Sequence, residues 1–373
     1  MLNPKDLFDS LKLRDVGLFT GVPDSLLSNF CAYVDDHTTN QEHIIAANEG
    51  NAVALATGYH LATGKVSVVY MQNSGLGNTI NPLTSIADTE VYGIPMLLII
   101  GWRGEPNVHD EPQHIKQGRI TCKQLDVLEI PYQIVDEHSV IEVILDDAFQ
   151  KIRETNAPVA LVVKKNVFSE YKSQSQQTPV YSLIRETALD YVLSLMDENA
   201  LVISTTGKTS RELFELRNKR GESQHDFLTV GGMGHTASIA LGVALGQSNK
   251  QVICFDGDGS LLMHMGAMPI IGQLSPPNFI HILLNNAAHE SVGGQPTVAG
   301  RMDFERIATG CGYKAYFCAH DQSSLNKAWQ SLKLLDGAIF LEIKIQIGSR
   351  ANLGRPSSTP QENKSFFMNH ANA

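Results

Sequence analysis

Cysteine is scarce in this sequence, and the five cysteines are scattered along 373 residues without a Cys-x-x-Cys pair. An odd number of widely spaced cysteines argues against a disulfide framework, and without paired spacing a zinc site is not expected either. Basic residues are also in the minority, with 29 Lys and Arg against 39 Asp and Glu and a net charge of −10. This balance argues against nucleic acid or an anionic membrane as the main partner.

Long apolar runs are missing as well. No apolar run approaches the length of a membrane span, and residues 1–6 do not resemble a signal peptide. We therefore expect a cytoplasmic protein with no membrane partner. The hydrophobic content of 43 % is nevertheless ample for two cores, and a length of 373 residues favours two domains.

Short β-rich runs alternate with helical stretches along most of the chain. The predicted strands are 16–22, 43–46, 66–71, 95–102, 132–135 and 158–163 in the first half, and 201–204, 227–230, 251–255, 278–284, 314–318 and 338–345 in the second. The predicted helices of the first half are 24–34, 51–63, 77–91, 121–129 and 140–155. This alternation predicts the α/β class, with two doubly wound parallel sheets covered by helices on both faces.

Changes in composition suggest where the domains begin and end. Residues 169–182 are polar and contain a proline, which indicates a linker between a domain at 1–168 and a second one at 183–348. The tail at 349–373 is polar and rich in Ser, Asn and Pro. We expect its end to be mobile or to pack on a partner.

The most informative pattern is Gly-Asp-Gly-Ser at 257–260, followed one helix and one strand later by Asn285-Asn286. A helix predicted to begin near Leu261 would direct its N-terminal N–H groups towards a bound phosphate. Carboxylate and amide oxygens suit Mg²⁺, which also takes oxygens from substrate phosphates. The spacing therefore predicts a metal-bound diphosphate at the carboxyl edge of a parallel sheet.

A diphosphate anchor by itself does not predict a reaction, which requires a further reactive group. Glu49 lies at the end of a predicted strand and the start of an alanine-rich helix, where small neighbours let a flat ring approach closely. Taken alone, Glu49 is equally well explained as a first-turn glutamate favoured by the helix dipole.

Four separated motifs resemble those of the thiamine-diphosphate (ThDP)-dependent 2-oxoacid decarboxylases, and the resemblance covers nearly the whole chain. Glu49-Gly-Asn-Ala, followed by Gly58-Tyr59, resembles the segment with the activating glutamate. The 257–260 turn with its asparagine pair resembles the ThDP fingerprint. The resemblance implies ThDP and Mg²⁺ as cofactors, a pyrimidine-binding first domain and a diphosphate-binding second domain.

The resemblance also implies individual roles. Gly231 would offer a backbone carbonyl to the aminopyrimidine, and Met233 would be the apolar wedge behind the bent cofactor, unless it is simply a flexible core residue. Thr206 and Lys208 match the turn on the diphosphate side. The remaining predicted cofactor-binding residues are Glu49, Gly257, Asp258, Gly259, Ser260 and Asn286. The implied Mg²⁺ ligands are Asp258, Asn286 and the backbone carbonyl of Ala288.

Only a short linker joins the two predicted domains, whereas many ThDP decarboxylases have a middle domain. This compact layout resembles the phosphonopyruvate and sulfopyruvate decarboxylases. The stretches that favour the phosphonopyruvate group are 102–104, 110–114, 204–213, 234–235, 263–266 and 289–297. The implied substrate is a small anionic 2-oxoacid, phosphonopyruvate, in phosphonate biosynthesis.

A phosphonate group needs cationic or N–H donors. Arg103 and His114, in a predicted loop at 101–119, are candidate substrate-binding residues, and Gln295 is a third. His109, Asp110 and His289 are unranked candidates for the acid that delivers a proton after loss of CO₂ and before release of the aldehyde.

The family resemblance implies at least a homodimer, with Glu49 and Asp258 of different subunits meeting at each site. Other functions stay open: sulfopyruvate decarboxylase, a ThDP carboligase, an E1-type subunit that serves a lipoyl partner, or an inactive ThDP-binding regulatory protein.

Overall fold

The computed structural model describes residues 1–174, 181–290, 292 and 294–373. The chain divides into two compact units, residues 1–177 with 292–295 and residues 178–291 with 296–373. Each unit contains a six-stranded sheet in which every strand pair is parallel. Part of the predicted linker, 175–180, lies outside the described residues, as do positions 291 and 293 of the 289–297 stretch.

In the first sheet, strands lie on both sides of the first strand, so the strand order changes direction there. Its strands are β1 Leu18–Gly21, β2 His43–Ile45, β3 Ser67–Gln72, β4 Met96–Gly101, β5 Tyr132–Val135 and β6 Val159–Val163. They lie in the order β2-β1-β3-β4-β6-β5. Because β2 and β3 flank β1, the carboxyl ends of β1 and β3 form the switch point where open α/β sheets bind ligands.

Helices cover both faces of this sheet, so its central strands read as continuous apolar runs. The helices are α1 Pro4–Leu13, α2 Ser28–His37, α3 Glu49–Thr63, α4 Leu76–Pro82, α5 Pro112–Val127 and α6 Ile141–Thr155. Alternate residues of β3 enter different cores: Val68 and Tyr70 pack on one side, Val69 and Met71 on the other.

The second sheet repeats the topology of the first. Its strands are β7 Leu201–Ser204, β8 Phe227–Leu228, β9 Val252–Gly257, β10 Phe279–Asn285, β11 Ala315–Ala319 and β12 Ile339–Lys344. Their order is β11-β12-β10-β9-β7-β8. If β7 to β12 are renumbered from one to six and the order is read from the β8 end, it is the same as the order of the first sheet. The corresponding switch point lies between β7 and β9. Its helices are α7 Arg185–Leu195, α8 Lys208–Arg220, α9 Thr236–Gly246, α10 Asp258–Met263, α11 Ala267–Leu274, α12 Phe304–Gly310, α13 Gln322–Leu332 and α14 Pro360–Ala371.

The two doubly wound parallel sheets confirm the predicted fold class, and a strand forms in each of the twelve predicted segments. Helix boundaries were predicted less well. The segment 77–91 is not one helix: α4 ends at Pro82, and a π-helical turn, Leu83–Ala87, follows it. The helix predicted at 24–34 begins only at Ser28, and α1 was not predicted. Among the described residues, no helix is both long and apolar enough to cross a membrane.

The expectation of a mobile C-terminal end is wrong, whereas packing on a partner is not tested by a single chain. Thr359 and Glu362 form a reciprocal capping box at the start of α14, and Pro360 occupies its first turn. Phe367 is buried in the core of the second unit, and its ring meets that of Phe227 edge to face, with 5.6 Å between the ring centroids and an interplanar angle of 63°. The segment therefore folds onto its own unit.

Candidate active site

Asp258 lies at the carboxyl edge of the second sheet, immediately after β9. Strands β9 and β10 pair in register up to Gly257 and Leu284, so Asp258 and Asn286 follow one and two residues beyond a paired position. The helix begins at Asp258, three residues earlier than predicted. Burial raises the pKa of this carboxyl to about 6, although Thr297 donates a hydrogen bond to it.

The two asparagines after β10 form matching turns. Oδ1 of Asn285 accepts from the Ala287 N–H at 3.0 Å, and Oδ1 of Asn286 accepts from the Ala288 N–H at 3.1 Å. Thr297 lies back beside these turns, because its N–H donates to the Ala287 carbonyl at 2.9 Å. All three predicted magnesium ligands thus belong to one sheet edge.

The predicted diphosphate-side residues lie at the same edge. Thr206 follows β7 and Lys208 begins α8. The Thr206 hydroxyl accepts from the Gly231 N–H at 3.2 Å, which ties the turn after β7 to the loop after β8. The Gly234 N–H donates to Ser260 Oγ at 3.1 Å and links this loop to α10.

Gly259, Met233 and His289 converge in the same unit. A methyl group placed on Gly259 would lie 3.2 Å from the His289 ring and 3.2 Å from Cε of Met233, so a larger residue would crowd both side chains. Burial lowers the pKa of His289 to about 4, which keeps its imidazole neutral near pH 7.

This arrangement fits a magnesium diphosphate. The described residues contain no cluster of three or more His, Cys, Asp or Glu side chains placed to hold a metal. Mg²⁺ does not require one, because it is commonly bound by one or two carboxylates together with substrate phosphates. A buried Asp258 carboxyl with a raised pKa is a group that a cation would stabilise in its ionised form.

Glu49 occupies the first turn of α3 in the first unit and is only 5 % exposed. Nδ2 of Asn78 donates to its Oε2 at 2.7 Å, and burial raises the pKa of the carboxyl against this hydrogen bond. A methyl group on Gly75 would lie 2.4 Å from Oε1, so this close approach requires glycine. Glu49 is thus a buried acid in a tight setting, with one side-chain hydrogen bond from Asn78.

Arg103 and Asp110 form a two-pronged ion pair in the first unit. Nε and Nη2 of Arg103 donate to the carboxylate at 2.8 and 2.5 Å, and the N–H groups of Gly104 and Glu111 donate to it at 2.8 Å. Burial opposes ionisation, yet these donors hold the pKa of Asp110 well below its usual range. Asp110 is therefore a poor proton donor, which argues against its predicted role as the acid.

The predicted loop at 101–119 is shorter than expected. Helix α5 begins at Pro112, since proline suits the first helical turn, so His114 lies on the helix and is buried. His109 remains on the loop and is exposed. Gln295 is buried, and neither atom of its side-chain amide has a hydrogen-bond partner among the described residues.

Several polar residues of these two sites were not predicted. Asp24 is fully buried after β1 and accepts from Gln72 Nε2 at 2.7 Å, at the switch point of the first sheet. Burial raises the pKa of Asp24. In the second unit, Thr297 donates a hydrogen bond to Asp258, and Glu290 accepts one from Asn286. The sequence offered a signal for Asp24 alone, because it is a polar residue just after a predicted strand. The contacts of Thr297 and Glu290 depend on loop geometry, which the sequence does not show.

Comparison with known families defines the class of protein. The model of the thiamine pyrophosphate enzyme N-terminal TPP binding domain matches residues 4–127, and that of the C-terminal TPP binding domain matches residues 205–343. The two matches fall on the two sheets and cover the predicted site residues from Glu49 to Gln295. The fold and these matches define a ThDP enzyme.

Individual relatives narrow the family. Phosphonopyruvate decarboxylase of Streptomyces viridochromogenes is 35 % identical, with 97 % of this chain and 93 % of that protein aligned. Phosphonopyruvate decarboxylase of Streptomyces hygroscopicus is 32 % identical, with 97 % of this chain and 92 % of that protein aligned. Sulfopyruvate decarboxylase of Methanosarcina acetivorans is 28 % identical over 98 % and 97 %. The chain therefore belongs to the phosphonopyruvate decarboxylase family of ThDP enzymes, and it is a carboxy-lyase.

Proposed function

We propose that this protein decarboxylates 3-phosphonopyruvate to phosphonoacetaldehyde and CO₂ with ThDP and Mg²⁺, as a step of phosphonate biosynthesis. The observation that carries the proposal is the 35 % identity to a phosphonopyruvate decarboxylase over 97 % of this chain. A likeness of that extent includes both sheets and every candidate site residue, so it is more than a shared cofactor motif.

The side chains at the second sheet suit the metal and the diphosphate. Asp258, Asn286 and the Ala288 carbonyl would hold Mg²⁺, with the remaining positions left to phosphate oxygens and water. Donors for the diphosphate and contacts for the rest of the cofactor would come from Thr206, Lys208, Gly231, Met233, Gly257, Gly259 and Ser260. When bound, ThDP supplies the carbon nucleophile and the electron sink for loss of CO₂.

Glu49 is proposed as the acid that exchanges a proton with the aminopyrimidine ring. Its raised pKa brings the protonated form closer to neutral pH, which a group that must give and regain a proton requires. The hydrogen bond from Asn78 would hold the carboxyl in one orientation.

Arg103 is proposed to bind the phosphonate group. Described residues use three of its five N–H groups: Asp110 takes two, and Ser25 Oγ accepts from Nη1 at 3.0 Å. One N–H on each terminal nitrogen is left for an anionic oxygen. The unpartnered amide of buried Gln295 is a further candidate for the same substrate, as is His114.

His109 is the proton donor that we propose, in place of Asp110. It is exposed on the loop that also bears Arg103, and an imidazole is suited to proton transfer near neutral pH. His289, beside Gly259, is neutral near pH 7 because burial lowers its pKa to about 4, so it is a poor proton donor.

We also propose a homodimer whose sites combine Glu49 of one subunit with Asp258 of the other. This arrangement is what membership of the family implies. An isolated subunit would then have no complete site.

The direct test is to incubate the purified chain with phosphonopyruvate, ThDP and Mg²⁺ and to measure both products. We expect CO₂ and phosphonoacetaldehyde in equal amounts, with the rate falling sharply after chelation of the metal. Absence of free aldehyde would contradict the proposal and favour an E1-type or inactive protein. A second aldehyde or ketone converted to a longer product would indicate a carboligase.

Sulfopyruvate is the second candidate substrate, since a sulfopyruvate decarboxylase also aligns over 98 % of this chain. A sulfonate carries a single negative charge, whereas a phosphonate approaches two near neutral pH. We expect kcat/KM to be higher for phosphonopyruvate under identical conditions. A higher value for sulfopyruvate would reassign the substrate and leave the cofactor chemistry unchanged.

A further inference from the structure

Glu290 accepts hydrogen bonds from three donors at the proposed metal site. Asn286 Nδ2 lies 2.9 Å from its Oε2, Arg185 Nη1 2.8 Å from the same oxygen, and Lys208 Nζ 2.7 Å from Oε1. Its side chain is only 9 % exposed. Glu290 thus joins a proposed metal ligand to a proposed diphosphate-side lysine.

The contact with Asn286 decides which end of the amide faces the metal. A carboxylate only accepts hydrogen bonds, so the nitrogen end of the amide must point at Glu290. The oxygen end then faces away from Glu290 and accepts from the Ala288 N–H, which leaves its second lone pair for a cation. Arg185 and Lys208 donate hydrogen bonds to the two oxygens of Glu290, so both oxygens act as acceptors.

Arg185 fixes Glu290 from the core side. Its guanidinium is 5 % exposed and donates to both oxygens of Glu212, at 2.7 and 2.9 Å, while its third donor holds Glu290. The planar, two-pronged pair leaves the guanidinium little rotational freedom. Glu290 therefore has a fixed position rather than a flexible surface contact.

The neighbouring asparagine is held in the same way. Asn285 Nδ2 donates to Oε1 of Glu342 at 2.8 Å, and its Oδ1 accepts a backbone N–H two residues later. Both amides of the pair are thus oriented by a buried carboxylate, one on each side of the turn.

We propose that Glu290, held by Arg185, is a positioning residue that orients the Asn286 amide for the divalent cation. The inference rests on the proposed function, because it requires Asn286 to be a metal ligand. Groups that orient metal ligands typically contribute about 10- to 100-fold in metal affinity. Neither residue was predicted from the sequence, since both act only through the fold.

The test measures binding of Mn²⁺, used in place of Mg²⁺, by electron paramagnetic resonance at saturating ThDP. Glu290→Ala should weaken Mn²⁺ binding by about 10- to 100-fold. Glu290→Gln should recover most of the affinity, because its amide oxygen can still accept from Asn286. The matched control is Glu212→Ala, which removes the other partner of Arg185 and has no hydrogen bond to Asn286. It should lower the melting temperature and weaken Mn²⁺ binding clearly less than Glu290→Ala does, because Glu290 and its hydrogen bond to Asn286 remain.

Melting curves of the apoproteins establish that each variant is folded at the titration temperature. Equal Mn²⁺ affinity in wild type and Glu290→Ala would overturn the inference and leave the proposed function standing. An equal loss in Glu212→Ala would also overturn it, because general loosening would then explain the effect. If the wild type itself bound no Mn²⁺ with ThDP, the proposed function would fail, and the role of Glu290 with it.

Discussion

At the scale of single residues, hydrogen-bond partners decide what a carboxyl group can do. Glu49 is buried and Asp110 is partly buried, and both acids lie beside predicted site elements. Burial raises the pKa of Glu49. In contrast, Arg103 and two backbone N–H groups lower the pKa of Asp110. The first can hold a proton nearer neutral pH and the second cannot. Asp110 is better explained as the group that holds Arg103 in place.

Substitutions on this loop should separate the two roles. Asp110→Asn should raise KM with a smaller effect on kcat, because Arg103 loses its partner but the proton donor remains. His109→Gln should lower kcat by about 100-fold or more with little change in KM. Steady-state kinetics with phosphonopyruvate measure both. A large loss of kcat in Asp110→Asn at saturating substrate would restore Asp110 as the acid.

The lowered pKa of Asp110 also fixes the sign of a pH effect. Because the folded pKa lies below the unfolded value, the ion pair stabilises the fold at pH values above the usual aspartate range. That contribution is lost only as the pH falls through the lowered pKa. The pH profile of kcat should therefore show no ionisation of Asp110 between pH 5 and 9.

At the scale of elements, α14 shows how a polar segment can still fold. Its composition suggested a mobile tail, because the apolar content is low and serine, asparagine and proline are frequent. The capping box of Thr359 and Glu362 starts the helix, and burial of Phe367 against Phe227 attaches it to the unit. The Thr-Pro-x-Glu spacing was a readable signal of helix start, whereas the attachment was not.

Two adjacent phenylalanines on α14 allow a matched test. Phe367 is 8 % exposed and Phe366 is 43 % exposed. Phe367→Ala should lower the free energy of unfolding by about 3 kcal/mol through lost burial and a residual cavity. Phe366→Ala should cost less than about 1 kcal/mol. Urea unfolding monitored by circular dichroism compares them, and equal effects would mean that α14 is not packed through Phe367.

At the scale of the whole molecule, two units of identical strand order divide the proposed chemistry between them. The first unit contains the proposed activating acid and the proposed substrate loop, and the second contains the groups proposed to bind the metal and the diphosphate. Each group lies at the carboxyl edge of its own sheet, where doubly wound folds place ligands. Because these groups lie in different units, one variant in each unit is enough to test the proposed site between subunits.

Mixing two inactive variants tests the arrangement. Glu49→Gln should retain ThDP binding and lose turnover, and Asp258→Asn should lose metal-dependent cofactor binding. If each site takes one residue from each subunit, a mixed dimer has one intact site. Half of the dimers are mixed at random assembly, so about a quarter of the wild-type activity should return.

Mixing should follow co-expression or joint refolding of the two variants, with each variant treated alone as the control. No recovery would place both residues of a site in the same chain.

The sequence by itself determined the fold class, the cofactor family and most of the candidate residues. Alternating apolar runs predicted the strands because a strand buried on both faces must be apolar throughout, and loops after parallel strands all meet at one edge. Helix ends, the hydrogen bonds of Asp110 and the contacts of Glu290 were decided only by the tertiary structure. They depend on which side chains approach within about 3 Å in the folded chain, a distance that sequence separation does not fix. The turn proposed to bind the metal could thus be predicted from its spacing, but the residue proposed to orient its asparagine could not.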